Sequence, residues 1–403
     1  NYATVSEGCQ AVRTCEYARA AELLDGMDSP GDIAEQARFY RGIARVYTDP
    51  ENAEQDIIAT MNSARDPEQA AAARYMLAQL YYLKGQNSDA LQILDGCTEN
   101  YCNQLRAEVY IQEGNFQEAL KNVEGVNTPQ AQLIRATAYF NLMDYDKAER
   151  ELAGLDSSSH DVQHLKMKML FKKGDTKNAT TILLDNSEYK PILFDGVKEL
   201  MLAGDYKLAT QLLENENDLP ADMQVIKAKL LAWSGRPREA HKIYTELANN
   251  NEMLYDSLSG LTSLETSPQA ELRAIRNVLS RLPEMPDFAQ KDLLLSQYAA
   301  KAAAAQDDEL LVQIINTFFP QFEDSPYAGD VYAERAKLFA NTGRPQECIN
   351  DINSASEKNP LLVEGLRFLN ATCTEDIGML AALLEYKNMC NEDSRSTLPA
   401  AVK

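Results

Sequence analysis

Apolar residues recur three and four positions apart along most of the chain, the spacing of amphipathic helices, and the helices this predicts fall into pairs. One pattern repeats. A first helix carries a small or apolar residue, a large apolar residue three positions on, and a Gly-centred turn four beyond that. A second helix then has Ala five residues after the turn and a large apolar residue four later. The clearest copy is Ala78, Tyr81, Gly85, Ala90, Leu94, and the next is Ala107, Tyr110, Gly114, Ala119, Val123. Then come Ala136, Tyr139, Met143, Ala148, Leu152, with Met in place of the turn Gly, and Met167, Leu170, Gly174, Ala179, Leu183. Val197, Leu200, Gly204, Ala209, Leu213 and Ala228, Leu231, Gly235, Ala240, Tyr244 complete six consecutive copies.

Each residue type has a physical task. Glycine at the turn supplies the positive φ that ends the first helix. Alanine early in the second helix lets two backbones approach, and the large residues three and four apart fill the rest of the seam. A single pair cannot cover its own apolar face, so stacking on neighbours is obligatory.

The pattern resembles the tetratricopeptide repeat family, whose motif has a small residue, Tyr, Gly, Ala and an aromatic at these offsets. The resemblance is strong from Ala70 to Ala248 and recurs at Ala336, Phe339, Gly343, Cys348, Ile352 and the closing Pro360. It implies an all-α fold, a right-handed α-solenoid of stacked antiparallel helix pairs. Successive copies stand 29 to 31 residues apart, short of the family's usual 34, and the aromatic early in the first helix is mostly missing.

The organisation expected is divergent helix pairs over 1–66, six repeats over 67–250, degenerate pairs over 251–330, one more repeat over 331–360, and capping helices with a tail over 361–403. Within the flanks, helices are expected over 14–26, 33–47, 51–65, 252–265, 268–282, 287–305 and 308–319. Ser267 before Pro268, and Asp287 before Phe288, read as helix starts. The stretch Phe318 to Tyr332, with Pro320, Ser325 and Pro326, reads as a turn between repeats, and the tail after Asn391 as mobile.

Hydrophobic residues make up 45% of the 403 and charged residues 25%, ordinary for a globular chain and not for a disordered one. A net charge of -22 repels nucleic-acid backbones and anionic membranes, which excludes both as expected partners. No apolar run approaches the roughly 20 residues of a membrane helix. The chain opens on Asn1 without Met, as after removal of a leader or after trimming.

Six of seven cysteines lie in local groups, Cys9 with Cys15, Cys97 with Cys102, and Cys373 with Cys390. These are the expected disulfides, which would place the chain in a periplasm or secretory lumen. The alternative is a cytoplasmic protein with seven buried thiols. Cys348 stands where the repeat wants a small buried side chain and is expected as a core thiol.

Signals for catalysis are sparse. His160 and His164 stand four apart in the run HDVQH and share a helical face, as in zinc proteases, but Asp161 occupies the place of the glutamate base and no third ligand is evident. No nucleophile elbow, phosphate loop or dinucleotide fingerprint occurs. The sequons at Asn178 and Asn370 are short enough to arise by chance. No enzymatic activity, cofactor or metal is expected.

The resemblance instead implies a groove. In the family the concave wall is lined by first-helix positions one and four residues after the small residue. The second position gives an apolar column of Tyr82, Ile111, Phe140, Phe171, Met201 and Ala232, and the first gives Gln79, Glu108, Thr137, Lys168, Lys198 and Lys229. Lys168, Lys198 and Lys229 would favour an acidic or C-terminal segment of a protein partner. Tyr75, Gln79, Gln104 and Glu108 do not supply the basic clamp with which some family members hold chaperone C-termini. The function expected is a non-enzymatic scaffold for an extended or helical partner segment in envelope or secretion-system assembly. The alternatives are a cytosolic adaptor or secretion chaperone and, behind it, a metal-dependent enzyme using HDVQH.

Overall fold

The computed structural model describes residues 2–27, 31–64, 66–379, 383–384 and 386–387. Among them are 23 α-helices, two 3-10 helices and no strand. Contacts divide the chain into two units, Asn1–Glu199 and Leu200–Lys403. In each, helices pack against the next and next-but-one in sequence, the α-solenoid arrangement of stacked pairs.

The first unit begins one helix earlier than the pattern predicts. Tyr2–Arg13 is helical and pairs with Tyr17–Leu24, ahead of Asp32–Thr48 and Pro50–Ser63. Val5, Cys9 and Val12 form its buried stripe. Gly8 lies under Leu24, so close that a Cβ there would come within 2.6 Å of the leucine. The repeats follow as Pro67–Leu83 with Asn87–Leu94, Asn100–Gln112 with Phe116–Asn122, Pro129–Asn141 with Tyr145–Leu152, and His160–Lys172 with Thr176–Asp185. Lys190–Leu202 then crosses the boundary between the units.

The turns form as the motif requires. Gly85, at φ +72°, donates to the Tyr82 carbonyl at 3.0 Å, and Gln86 donates to the Tyr81 carbonyl at 2.8 Å, which satisfies two carbonyls at the helix end. Met143 takes the same left-handed conformation at φ +62° with a side chain in place of hydrogen. The next residue often opens the second helix. The carboxylates of Asp144 and Asp175 accept from the N–H groups of Lys147 and Asn178, both at 3.3 Å. The motif alanines Ala78, Ala90, Ala107, Ala119, Ala136, Ala148 and Ala179 are all 0% exposed, as close backbone approach demands.

A polar brace accompanies this seam. The residue before the small position is often basic and reaches back to carbonyls where the preceding second helix ends. Arg106 donates to the Leu94 and Cys97 carbonyls, both at 2.8 Å, and Arg135 to those of Val123 and Val126 at 3.1 and 2.9 Å. Arg41 donates to Leu24 and holds the buried Asp56 through two bonds of 2.6 and 2.8 Å.

The second unit continues with Tyr206–Glu214, Ala221–Trp233, Pro237–Asn249, Leu254–Ser263, Pro268–Arg281, Lys291–Ala304, Asp308–Phe322, Ala328–Asn341, Pro345–Lys358 and Val363–Ile377. Ser267 caps its helix through the Ala270 N–H at 3.2 Å, as its position predicts. The helix expected from Asp287 starts at Lys291, because Gln290 turns the chain at φ +68°. The turn expected from Phe318 begins later. The helix runs through Pro320 to Phe322, and Phe318 is fully buried against Phe319 and Phe322. One core extends from Ala248 to Cys373 and includes Tyr298 and Phe318.

Among the described residues two disulfides are present. Cys97 is bonded to Cys102, with Cα atoms 6.1 Å apart. Cys348 is not a free core thiol. It is bonded to Cys373, because the helices Pro345–Lys358 and Val363–Ile377 bring two fully buried sulfurs across one seam. Cys390, the partner expected for Cys373, lies outside the described residues. Cys9 and Cys15 are unbonded. Cys9 points into the core beside Val5 and Leu24, whereas Cys15 sits exposed in the turn at φ +61°. The six-residue separation turns the two positions away from each other.

Candidate functional site

In the first unit the first helices present matching triplets with spacings of four and three: Tyr75, Gln79, Tyr82; Gln104, Glu108, Ile111; Leu133, Thr137, Phe140; His164, Lys168, Phe171. All twelve are half-buried. Tyr82, Ile111, Phe140 and Phe171 of the expected apolar column therefore form one row of partly covered side chains, where the wall is expected. Lys198, on the last helix of this unit, is exposed. In the second unit Met201, Lys229 and Ala232 are half-buried at the corresponding helical positions.

The wall changes character along its length. Its N-terminal stretch is aromatic. Tyr17 stacks on Tyr47 with centroids 4.5 Å apart, Gln79 Nε2 donates to Tyr47 Oη at 3.2 Å, and Tyr75 meets the edge of Tyr101 at 5.1 Å. Glu108 faces this group. Gln130 Nε2 donates to its carboxylate at 2.7 Å, and Thr128 donates to the neighbouring Gln104. Burial pushes the Glu108 carboxyl up from its ordinary value, with the Gln130 bond acting in the opposite direction. Burial also raises the phenols of Tyr75 and Tyr82, and the negative charge of Glu108 adds to both shifts.

The C-terminal stretch is ionic. Lys168 Nζ lies 5.9 Å from the Phe140 ring centre and bonds to Asp195 Oδ2 at 3.1 Å; His164 Nε2 bonds to the same oxygen at 3.0 Å. Lys172 reaches Glu199 at 2.9 Å. The His164 hydrogen bond, and then Lys168, hold the Asp195 carboxyl well below the usual carboxylate range against the opposing effect of its burial. Within the second unit Lys229 is paired with Asp256 at 3.0 Å. Lys168 and Lys229 thus already carry matched carboxylates, as Lys172 does.

The two histidines of HDVQH go to different neighbours. His160 stacks flat on Tyr189, with centroids 4.6 Å apart, while His164 belongs to the Asp195 cluster. Among the described residues no group of three His, Cys, Asp or Glu side chains is placed to hold a metal ion. No described helix is long and apolar enough to cross a membrane.

Motif reading missed Asp195, Glu199 and Asp256 as neutralising partners, and it missed Tyr101 as part of the aromatic group. A signal existed for the acids. Each stands 27 residues after its lysine, just under one repeat, which places it on the adjoining first helix.

No family model matches the chain, and no curated protein matches it. Among solved structures it is similar at 15% identity to a chain of Naa15/Naa10 bound to HypK-THB, over 91% of this chain and 64% of that one, with a TM-score of 0.35. It is also similar at 15% identity to a chain of the APC/C hetero-tetramer Cut9–Hcn1, over 94% of this chain and 84% of that one, with a TM-score of 0.36. The chain therefore spans less than two thirds of the length of the first.

Proposed function

We propose that this chain is a non-enzymatic scaffold that holds an extended or helical segment of a partner protein along the first-helix wall. The observation that carries the reading is the half-buried column Tyr82, Ile111, Phe140 and Phe171, repeated on four successive first helices. Side chains that remain partly open beside sealed alanine seams offer apolar contact at each repeat without any rearrangement of the core. The lysines play a smaller part than their charge suggests. With Lys168 held by Asp195 and Lys229 by Asp256, a preference for acidic segments loses its main support.

The finer setting we propose is envelope or secretion-system assembly in an oxidising compartment, a reading supported by the Cys97–Cys102 and Cys348–Cys373 bonds. Thiol titration of the unreduced chain tests it. Seven cysteines with two bonds leave at most three thiols, so five or more reactive thiols would move the protein to a reducing compartment.

The binding reading is tested by selecting displayed random 12-residue peptides on the full chain. Peptides rich in large apolar residues are expected, and the double variant Phe140→Ala with Phe171→Ala should lose them. Equal capture by that variant, or no selection at all, would sink the wall as the binding surface.

A further inference from the structure

The most unusual group on the wall is Glu108. Elsewhere the acids facing this surface are neutralised by a neighbouring helix: Asp195 by Lys168 and His164, Glu199 by Lys172. Glu108 receives only the neutral Gln130 amide, and among the described residues no lysine, arginine or histidine forms an ion pair with it. A half-buried carboxylate without a cation is costly, because burial removes water and nothing charged replaces it. One amide bond recovers part of that loss and leaves acceptor capacity on the two oxygens.

Its surroundings are specific as well. On the adjoining helix Tyr75 and Tyr82 stand one turn to either side of Gln79, the residue in register with Glu108. Tyr101, 41% exposed and edge-on to Tyr75, begins the Glu108 helix two turns before it. Aromatic faces attract cations through their quadrupole, and a carboxylate beside them adds direct charge and hydrogen bonding. The arrangement fits a side chain that is apolar along its stem and positive at its tip. An acidic segment would meet an unmatched like charge, and a purely apolar one would bury Glu108 further without neutralising it.

We infer that Glu108, with Tyr75, Tyr82 and Tyr101, forms a subsite for one lysine or arginine side chain of the partner segment, whose flanking apolar residues continue along Ile111 and Phe140. This rests on the proposed wall and adds the charge of its partner, reversing the preference that the wall lysines imply in isolation. The net charge of -22 also favours approach of a basic segment.

The peptide selection tests it with three forms of the full chain: unaltered, Glu108→Gln, and Phe140→Ala with Phe171→Ala. Glu108→Gln keeps one acceptor oxygen for Gln130 and the size of the side chain while removing the charge. Peptides selected on the unaltered chain should carry a Lys or Arg among apolar residues. Their affinity for Glu108→Gln should fall about tenfold, the loss expected for a charge-assisted bond in a partly dry site. Replacing that basic residue by norleucine should produce the same fall on the unaltered chain and no further fall on Glu108→Gln. Three results would overturn the subsite: enrichment of Asp or Glu, apolar peptides with no basic residue, or equal binding of basic peptides to Glu108→Gln. If the peptides depend on Phe140 and Phe171 in those cases, the wall survives and only its charge preference fails. Peptides indifferent to both variants would remove the wall and the subsite together.

Discussion

The two stretches of the wall solve the same mechanical problem in opposite ways. Around Glu108 the covalent and arginine fastenings of the helix Asn100–Gln112 lie away from its presented triplet, whose own bonds, Gln104 to Thr128 and Glu108 to Gln130, bring no cation. The Cys97–Cys102 bond ties its first turn to the preceding loop, and Arg106 grips the Leu94 and Cys97 carbonyls. Around Lys168 the presented groups are themselves the fastening, since His164, Lys168 and Lys172 bond to Asp195 and Glu199 on the adjoining first helix, Lys190–Leu202. A helix braced from elsewhere can leave a charge on its open face without a counter-charge. A helix braced through its face has committed those side chains and offers a ligand less charge. Position in the repeat is the same, so the register alone does not make a binding residue; what matters is whether a neighbour has already used it.

The largest expected effect comes from removing the covalent brace. Replacing both Cys97 and Cys102 by alanine should lower stability by about 2 kcal/mol, the chain-entropy value for so short a loop. Amide exchange should accelerate in Asn100–Gln112 and change little in His160–Lys172, because stacked repeats open in local units. Uniform acceleration across the first unit would mean that the two stretches do not differ in how they are held.

Asp195→Asn attacks the other stretch. It weakens two partners at once, and since Asp195 and Lys168 are each 32% exposed the expected loss at neutral pH is about 1 kcal/mol. The Asp195 carboxyl is depressed in the fold, so its stabilisation is fully present above the ordinary aspartate value and disappears as pH falls through the depressed value. The variant and the unaltered chain should therefore melt apart at pH 7 and converge in strong acid. Added salt should narrow the gap as well, which it would not do for the Cys97 and Cys102 replacement.

A third change acts on the backbone between the stretches. Met143 occupies a left-handed turn where the five other strong copies have glycine, so Met143→Gly should raise stability by about 1 kcal/mol in urea denaturation. The gain should add to either loss above, because the turn shares no partner with Cys97 or Asp195. Non-additivity would show that the stretches are coupled through the helix Pro129–Asn141.

Much of this was readable in the sequence because the repeat ties identity to spacing. Ala90, Ala119 and Ala148 had to be buried and Gly85 had to take a positive φ, and each requirement follows from one helix pair considered alone. What escaped depends on pairs of repeats. Asp195 and Lys168 are unremarkable as single surface charges and become a cluster only once the offset of 27 residues is converted into neighbouring helices. Cys348 and Cys373 are 25 residues apart, and proximity in the chain wrongly favoured Cys390 over the sulfur that faces Cys348 across a helix seam. The first helix, Tyr2–Arg13, was obscured because its stripe of Val5, Cys9 and Val12 is interrupted by Gly8, a residue that weakens helices in isolation and here admits Leu24.

The smallest effect is the most informative about function. The Glu108 carboxyl is raised in the fold by burial, the opposite sign to Asp195. A raised carboxyl costs stability at every pH above its folded value, and the cost disappears once pH drops below the ordinary glutamate value, where folded and unfolded chains are both protonated. Glu108→Gln should therefore melt slightly higher than the unaltered chain at pH 7, and the two melting curves should draw together on acidification. Asp195→Asn approaches the same convergence from below. A side chain whose removal stabilises the fold while weakening peptide capture is maintained at the expense of packing, as binding groups are. If Glu108→Gln instead melts lower at pH 7, Glu108 braces the wall as Asp195 does, and the contrast between the stretches disappears.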